Sequence, residues 1–154
     1  MDKVKIIFVC LGNICRSAMA EYMFRHLVEQ HGVAEQFEVA SAGTSREEQG
    51  NPIYPPARAM LLQHGINPSA HRAHQITAEE YEEYDYVIVM ERANIRQLQW
   101  RLSDTSKAQM LMDYVDGPHH GKDIADPWYT GNFQDTWDDL EEGLEAFLDQ
   151  LIER

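Results

Sequence analysis

Cysteine is scarce in this sequence of 154 residues, which contains two, Cys10 and Cys15. Two cysteines cannot form the dense disulfide framework of a small secreted protein, and no histidine has the spacing of a recognised zinc site. Long apolar runs are also missing. The first one covers only residues 6–9, far less than a signal-peptide core or a transmembrane helix needs. We therefore expect a cytoplasmic protein with reduced thiols, no membrane insertion and no metal.

Positive charge is the second shortage, because 13 Lys and Arg face 26 Asp and Glu and leave a net charge of −13. This imbalance argues against nucleic acid or an anionic membrane as a partner. An anionic substrate must then be held by strong local chemistry. The length and the 44% apolar content suffice for one core, so we expect one domain spanning residues 1–154.

Short apolar segments with the composition of buried strands alternate with helical patterns. This alternation predicts an α/β domain whose parallel sheet is covered by helices on both faces. A long loop punctuated by glycine and proline is expected at residues 113–134. The strand candidates are residues 4–9, 37–43, 84–90 and 108–112, and the helix candidates are 17–31, 52–64, 95–102 and 137–151.

The segment between the first strand and the first helix has the features of an anion site. It contains Cys10, Leu11, Gly12, Asn13, Ile14, Cys15, Arg16 and Ser17. Unpaired N–H groups and the positive end of the helix dipole favour an anion at this helix start. Gly12 and Asn13 tolerate the left-handed backbone that curls such groups inward, and the guanidinium of Arg16 can hold two phosphate oxygens.

Cys10 is the candidate nucleophile of this loop, because the same donors stabilise its thiolate. Its attack on a phosphate ester would give a cysteinyl phosphate, while Arg16 and the loop amides hold the equatorial oxygens. The hydroxyl of Ser17 can donate to the sulfur and help it leave. The alternative is that Cys10 is a small buried hydrophobic residue. Packing is the expected role of Cys15, and redox partnership with Cys10 in the same loop is its alternative.

The departing oxygen needs a proton, and Asp126 is the candidate general acid. It lies on the long loop beside Pro127, Trp128 and Tyr129. The alternative is a turn-forming Asp-Pro pair, which is a frequent use of these residues.

With these residues assembled, the chain resembles the low-molecular-weight protein tyrosine phosphatases along nearly its whole length. The order, with the nucleophile near the N-terminus and the acid near the C-terminus, distinguishes that family from the larger tyrosine phosphatases, which carry their acid before the cysteine loop. The resemblance implies a four-stranded parallel sheet, no cofactor, and ping-pong hydrolysis of phosphotyrosine in proteins or of small aryl phosphates, with phosphate and vanadate as inhibitors. It rests on residues 10–17, 41–44, 75–77, 84–90 and 126–129.

The resemblance also implies roles for individual residues. It makes Cys10 the nucleophile, Arg16 the phosphate clamp, Ser17 the thiolate donor and Asp126 the acid that later acts as base. A supporting network is expected from Asn13, Ser41 and His71, and a substrate wall from Trp128 and Tyr129. Glu47 stands where the family usually has an aromatic wall residue, His74 where it commonly has Arg, and residues 90–92 are Met-Glu-Arg instead of Met-Asp-Glu.

Three other functions remain open. A thioredoxin-coupled arsenate reductase shares the fold, but its disulfide relay needs cysteines beyond Cys10 and Cys15. A protein-arginine phosphatase is closer, although relatives of that type have Thr where this loop has Ile14, a residue that favours an aryl ester. A silent phosphotyrosine-binding module would bind without turnover, and hydrolysis of an aryl phosphate would distinguish it.

Overall fold

Four parallel strands form the centre of the computed structural model, which describes residues 2–68 and 70–152. Their order across the sheet is β2-β1-β3-β4, and Cys10 at the end of β1 is in register with Gly43 at the end of β2. Two short 3₁₀ helices cover Ala34–Gln36 and Leu111–Tyr114. The elements are β1 (Val4–Cys10), α1 (Arg16–Gln30), β2 (Phe37–Gly43), α2 (Pro55–Gln63), α3 (Ala78–Glu83), β3 (Tyr86–Val89), α4 (Arg92–Gln99), β4 (Ala108–Met110), α5 (Pro127–Thr130) and α6 (Phe133–Ile152).

Helices cover both faces of the sheet, as predicted. On one face, Phe8 of β1 packs edge-on against Phe24 of α1 and Phe147 of α6, with ring centroids 5.7 and 6.4 Å away. On the other face, Ile7 and Val9 belong to a second buried cluster that includes residues of α3 and α4. The alternation of β1 side chains between two cores explains why its sequence is continuously apolar.

The structure corrects the sequence prediction in three places. Helix α3 was not predicted. It starts at Ala78, and the preceding Thr77 is its N-cap and forms a capping box with Glu80. The fourth strand ends at Met110, because Leu111–Tyr114 forms a 3₁₀ helix. The expected loop at residues 113–134 contains α5 and the first two residues of α6. None of the helices in the described ranges is long and apolar enough to cross a membrane.

Candidate active site

The loop between β1 and α1 lies at the carboxyl edge of the sheet, where parallel strands of α/β proteins place their ligands. Residues 10–16 line a cleft there. Other elements complete the walls of this cleft: the turn after β2 and the segment around α5. The residues that line it outside the loop are Glu47, Glu48, Asp126, Trp128 and Tyr129.

The sulfur of Cys10 is the point on which the loop donors converge. The backbone N–H groups of Asn13 and Ser17 each lie 3.4 Å from Sγ. The hydroxyl of Ser17 lies 3.0 Å from the same atom. Cys10 is buried, so these contacts replace the water that an exposed thiolate would have.

A buried hydrogen-bond network orients Ser17 toward the sulfur. The side-chain amide of Asn13 donates to Oγ of Ser17 at 2.8 Å and to Oγ of Ser41 at 3.0 Å. Ser41 in turn donates to the carboxylate of Glu21 at 2.6 Å. Because Ser17 accepts from Asn13, its own proton points to one of two acceptors, the sulfur of Cys10 at 3.0 Å or the carbonyl oxygen of Ala42 at 3.3 Å. Two of the expected supporting residues, Asn13 and Ser41, therefore lie together. Glu21, which accepts the last hydrogen bond of this network, was not predicted from the sequence.

Asn13 has the strained backbone of the loop, with a φ of 62°. The ring Nε2–H of His71 donates to its carbonyl at 2.7 Å, and the backbone N–H of His74 donates to Oδ1 at 3.2 Å. Burial lowers the pKa of His71, although the bond to Asn13 and the charge of Glu21 partly oppose it. The left-handed prediction was wrong for Gly12, whose φ is not positive.

Arg16 is buried, with 1% of its surface exposed. Nη1 donates to the carboxylate of Glu91 and to the carbonyl of Ile124 at 2.9 Å, and Nη2 lies 3.4 Å from Oδ2 of Asp126. Burial lowers the pKa of Arg16, but the charges of Cys10, Glu91 and Asp126 outweigh it and raise the pKa overall. Nε of Arg16 is the single buried side-chain nitrogen or oxygen without a hydrogen-bond partner in the part of the chain that the structure describes.

Asp126 caps the N-terminus of α5, where Oδ1 accepts the N–H of Trp128 at 3.0 Å. Its side chain is 20% exposed, and its second oxygen is the one near Arg16. Pro127 occupies the first turn of α5, a position where proline fits a helix start. The Asp-Pro pair therefore forms a local cap, which agrees with the turn interpretation, and it also places a carboxylate at the cleft. The role of general acid stays a prediction.

Aromatic side chains flank this carboxylate. Trp128 is 52% and Tyr129 78% exposed, which leaves ring surface open at the cleft. Tyr54, which precedes α2, supports Trp128 with its ring centroid 4.6 Å away, and it also packs against Phe133. The sequence missed Tyr54, because nothing in the segment before α2 indicates contact with α5.

Cys15 is buried in a small cluster with Ile14 and Ala73. Burial is the main reason that the pKa of the Cys15 thiol is raised, and the negative charge of Cys10 adds to the shift. Both cysteines are free. Within residues 2–68 and 70–152, no group of three or more His, Cys, Asp or Glu side chains is arranged to hold a metal ion.

Comparison with known proteins identifies the family. The model of the low molecular weight phosphotyrosine protein phosphatases matches residues 5–154. The chain belongs to this family. It is 35% identical over 147 residues to the low molecular weight protein-tyrosine-phosphatase YfkJ of Bacillus subtilis, with 94% of each chain covered. It is 36% identical over 151 residues to the human low molecular weight phosphotyrosine protein phosphatase, again with 94% of each chain covered.

Solved structures of the family have the same fold. The crystal structure of Bacillus subtilis YfkJ matches with a TM-score of 0.94 at 34% identity, covering 99% of this chain and 97% of that one. The arginine phosphatase YwlE, also from Bacillus subtilis, matches with a TM-score of 0.82 at 32% identity, covering 96% and 95%. That structure is a cysteine-to-serine mutant with a phosphorylated active-site serine. The family is a family of hydrolases, so this chain is an enzyme. Its relatives include phosphatases named for phosphotyrosine and a phosphatase named for arginine.

Proposed function

We propose that this enzyme hydrolyses phosphotyrosine and related aryl phosphate monoesters through a phosphocysteine on Cys10, without a metal or organic cofactor. One observation carries the proposal. The buried Nε of Arg16 has no partner, although Arg16 lines the cleft into which the loop around Cys10 curls. A buried N–H without a partner is costly, and an oxygen of a bound phosphate would satisfy it.

In the first step, Sγ of Cys10 attacks phosphorus while the ester P–O bond breaks. The carboxylic acid of Asp126 donates its proton to the departing oxygen, and Arg16 and the loop N–H groups bind the equatorial oxygens. The 3.4 Å separation between Arg16 and Asp126 supports this assignment, because the clamp and the acid must reach the same phosphoryl group.

In the second step, water attacks phosphorus, Asp126 accepts its proton and the S–P bond breaks. Inorganic phosphate leaves, and the hydroxyl of Ser17 donates to the thiolate that forms. The 3.0 Å contact between Ser17 and the sulfur supports this role. The phosphorylated serine in the YwlE mutant supports a covalent phosphoenzyme in that relative, and we extend the principle to Cys10.

The aromatic surface of Trp128 and Tyr129 favours an aryl ester as substrate, because a tyrosine ring gains contact area there, and Tyr54 packs against Trp128. Ile14 agrees with this choice, since arginine-specific relatives have Thr at that position. The similarity to YwlE keeps a protein-arginine phosphatase as the second candidate. An arsenate reductase would need cysteines beyond Cys10 and Cys15, and the sequence has none. A silent binding module would not need the carboxylate of Asp126 beside the guanidinium of Arg16.

The test is turnover of a chromogenic aryl phosphate, a phosphotyrosine peptide and a phosphoarginine peptide by the full chain in the presence of EDTA. We expect hydrolysis of the first two and a higher kcat/KM for phosphotyrosine than for phosphoarginine. Cys10→Ser should abolish turnover and still bind phosphate or vanadate, because Arg16 and the loop amides remain. Cys15→Ser is the matched control and should turn over substrate. Activity in Cys10→Ser would refute the covalent mechanism, and preference for phosphoarginine would refute the substrate class.

A further inference from the structure

Two neighbouring carboxylates, Glu47 and Glu48, line the same cleft as Cys10 and Arg16. They lie in the turn after β2, in which the N–H of Gln49 donates to the carbonyl of Arg46 at 3.1 Å. The side chain of Glu48 accepts from Asn51 at 2.9 Å, which holds it in place on one side. Glu47 is exposed and its side chain is free to turn toward a bound molecule.

Neither carboxylate is neutralised by a neighbour. Across residues 2–68 and 70–152, Glu47 and Glu48 form no ion pair within 4.0 Å. Arg46 is the adjacent cation in sequence, and it is exposed. Glu48 also acts at a distance on the loop, because its charge contributes to raising the pKa of Cys15. The mouth of the cleft therefore has two uncompensated negative charges.

The remaining charges of the cleft do not cancel them. Among the described residues, Arg16 is the one cationic side chain that lines it, and Glu91 and Asp126 already face its guanidinium. The phosphate itself is held by donors at hydrogen-bond distance, where direct contacts dominate over more distant charges. The rim carboxylates act over longer distances, on the parts of a substrate that extend out of the cleft.

We propose that Glu47 and Glu48 select phosphotyrosine segments flanked by Lys or Arg. The inference rests on the proposed function and specifies its substrate class. A carboxylate pair at the mouth attracts a cationic flank and repels an acidic one, so the effect appears in the rate of productive encounter. A pair of opposite charges about 6 Å apart in water changes a rate about threefold without salt. Two such pairs raise the rate for a basic-flanked peptide about 10-fold and lower it for an acidic-flanked one by about the same factor. The ratio between the two peptides should therefore approach about 100-fold as ionic strength falls.

The experiment measures kcat/KM for two phosphotyrosine peptides that differ only in having two Lys or two Glu beside the phosphotyrosine. It compares the parent with Glu47→Gln/Glu48→Gln at low and high salt. The matched control is Glu79→Gln/Glu82→Gln, which removes the same charge from the exposed face of α3 and lies outside the cleft. The ratio of the two peptides is the readout, so a general loss of activity in a variant does not affect it.

We expect the rim variant to lose most of the basic preference, the α3 variant to keep it, and salt to reduce it in the parent, since screening acts over about 8 Å at physiological ionic strength. Equal ratios in the parent and the rim variant overturn the inference while the phosphatase assignment stands. Equal losses in both variants also overturn it, because net charge would then explain the preference. A parent that hydrolyses neither peptide overturns the proposed function and this inference with it.

Discussion

Gly43→Ala tests whether the phosphate loop depends on the close approach of its neighbouring strand. Gly43 ends β2 beside Cys10, and a Cβ built there would lie 2.7 Å from the carbonyl oxygen of Leu11 and 3.3 Å from the carbonyl carbon of Gly12. Backbone atoms, unlike the end of a flexible side chain, cannot rotate away. The Leu11 oxygen is also held by a bond from the N–H of Ser45 at 3.1 Å.

The size of the effect follows from these distances. Carbon and oxygen atoms in weak contact lie about 3.3 Å apart, so the loop or the strand must move by about 0.6 Å. Overpacking of this kind destabilises a fold by about 1–3 kcal/mol. A misplacement of about 1 Å in a catalytic geometry costs about 100-fold in rate, so we expect Gly43→Ala to lower kcat/KM by about 10- to 100-fold. Phosphate affinity should fall as well, because the displaced atoms belong to the loop that we propose binds phosphate.

The assay compares kcat/KM for an aryl phosphate, the Kd of inorganic phosphate and the urea midpoint of unfolding. Gly12→Ala is the matched control, because its Cβ would meet only ordinary contacts, at 3.5 Å from Glu48 and 3.9 Å from Ile14, and its φ is not positive. We expect Gly12→Ala to keep most of the activity. If the folded Gly43→Ala protein works as well as the parent, or if Gly12→Ala is the more damaging change, the steric argument is wrong.

Three further predictions follow from the site. Asp126→Ala should lower kcat by about 10²- to 10⁴-fold for poor leaving groups and much less for good ones, and a uniform loss across a leaving-group series would show that Asp126 is not the acid. Burial lowers the pKa of His71 in the folded state, so the unfolded state takes up its proton first as pH falls below about 6.5. From pH 7.5 to 5.5 the parent should therefore lose up to about 1.4 kcal/mol more unfolding free energy than His71→Gln, and parallel pH profiles in urea would contradict this. Cys15→Ala should recover less activity than the parent after peroxide and reductant, because a disulfide with Cys10 prevents over-oxidation, and equal recovery would leave Cys15 with packing alone.

The sheet and its flanking helices were predictable because buried strands and amphipathic helices have different periodicities in sequence. Helix α3 was not predicted because Tyr81 is the one buried residue among its six. The helix therefore has no apolar stripe that a sequence pattern could reveal. The capping box between Thr77 and Glu80 was the usable signal for its start. Residues 111–112 were assigned to the fourth strand because they are apolar, and composition does not distinguish a buried 3₁₀ turn from a buried strand.

The position of the proposed phosphate loop between β1 and α1 was predictable, because it depends on local order: strand, turn, helix start, thiol and guanidinium. The residues from other elements that contact this site were not predictable from the sequence. Arg16 meets Glu91 across 75 positions of sequence, and the pairing exists because β3 lies beside β1 in the sheet. Glu21 and Tyr54 are likewise defined by contacts between elements. The choice of Asn13 over Gly12 for the left-handed backbone also depends on distant groups, since His71 and His74 hold Asn13 on both sides.

Under the proposed function, the position of Arg16 explains how a protein with a net charge of −13 binds a phosphate dianion. Glu91 and the carbonyl of Ile124 fix one end of the guanidinium, and Asp126 faces the other, so the charge is held in place before substrate arrives. Fixing a long cationic side chain in advance removes its conformational entropy from the cost of binding. The partners also reduce its net field, which leaves recognition to short-range donors: Nε of Arg16 and the neutral N–H groups of the loop. Such donors act at about 3 Å and need no favourable long-range potential, so the acidic surface is compatible with phosphate binding and is free to discriminate among the segments that carry it.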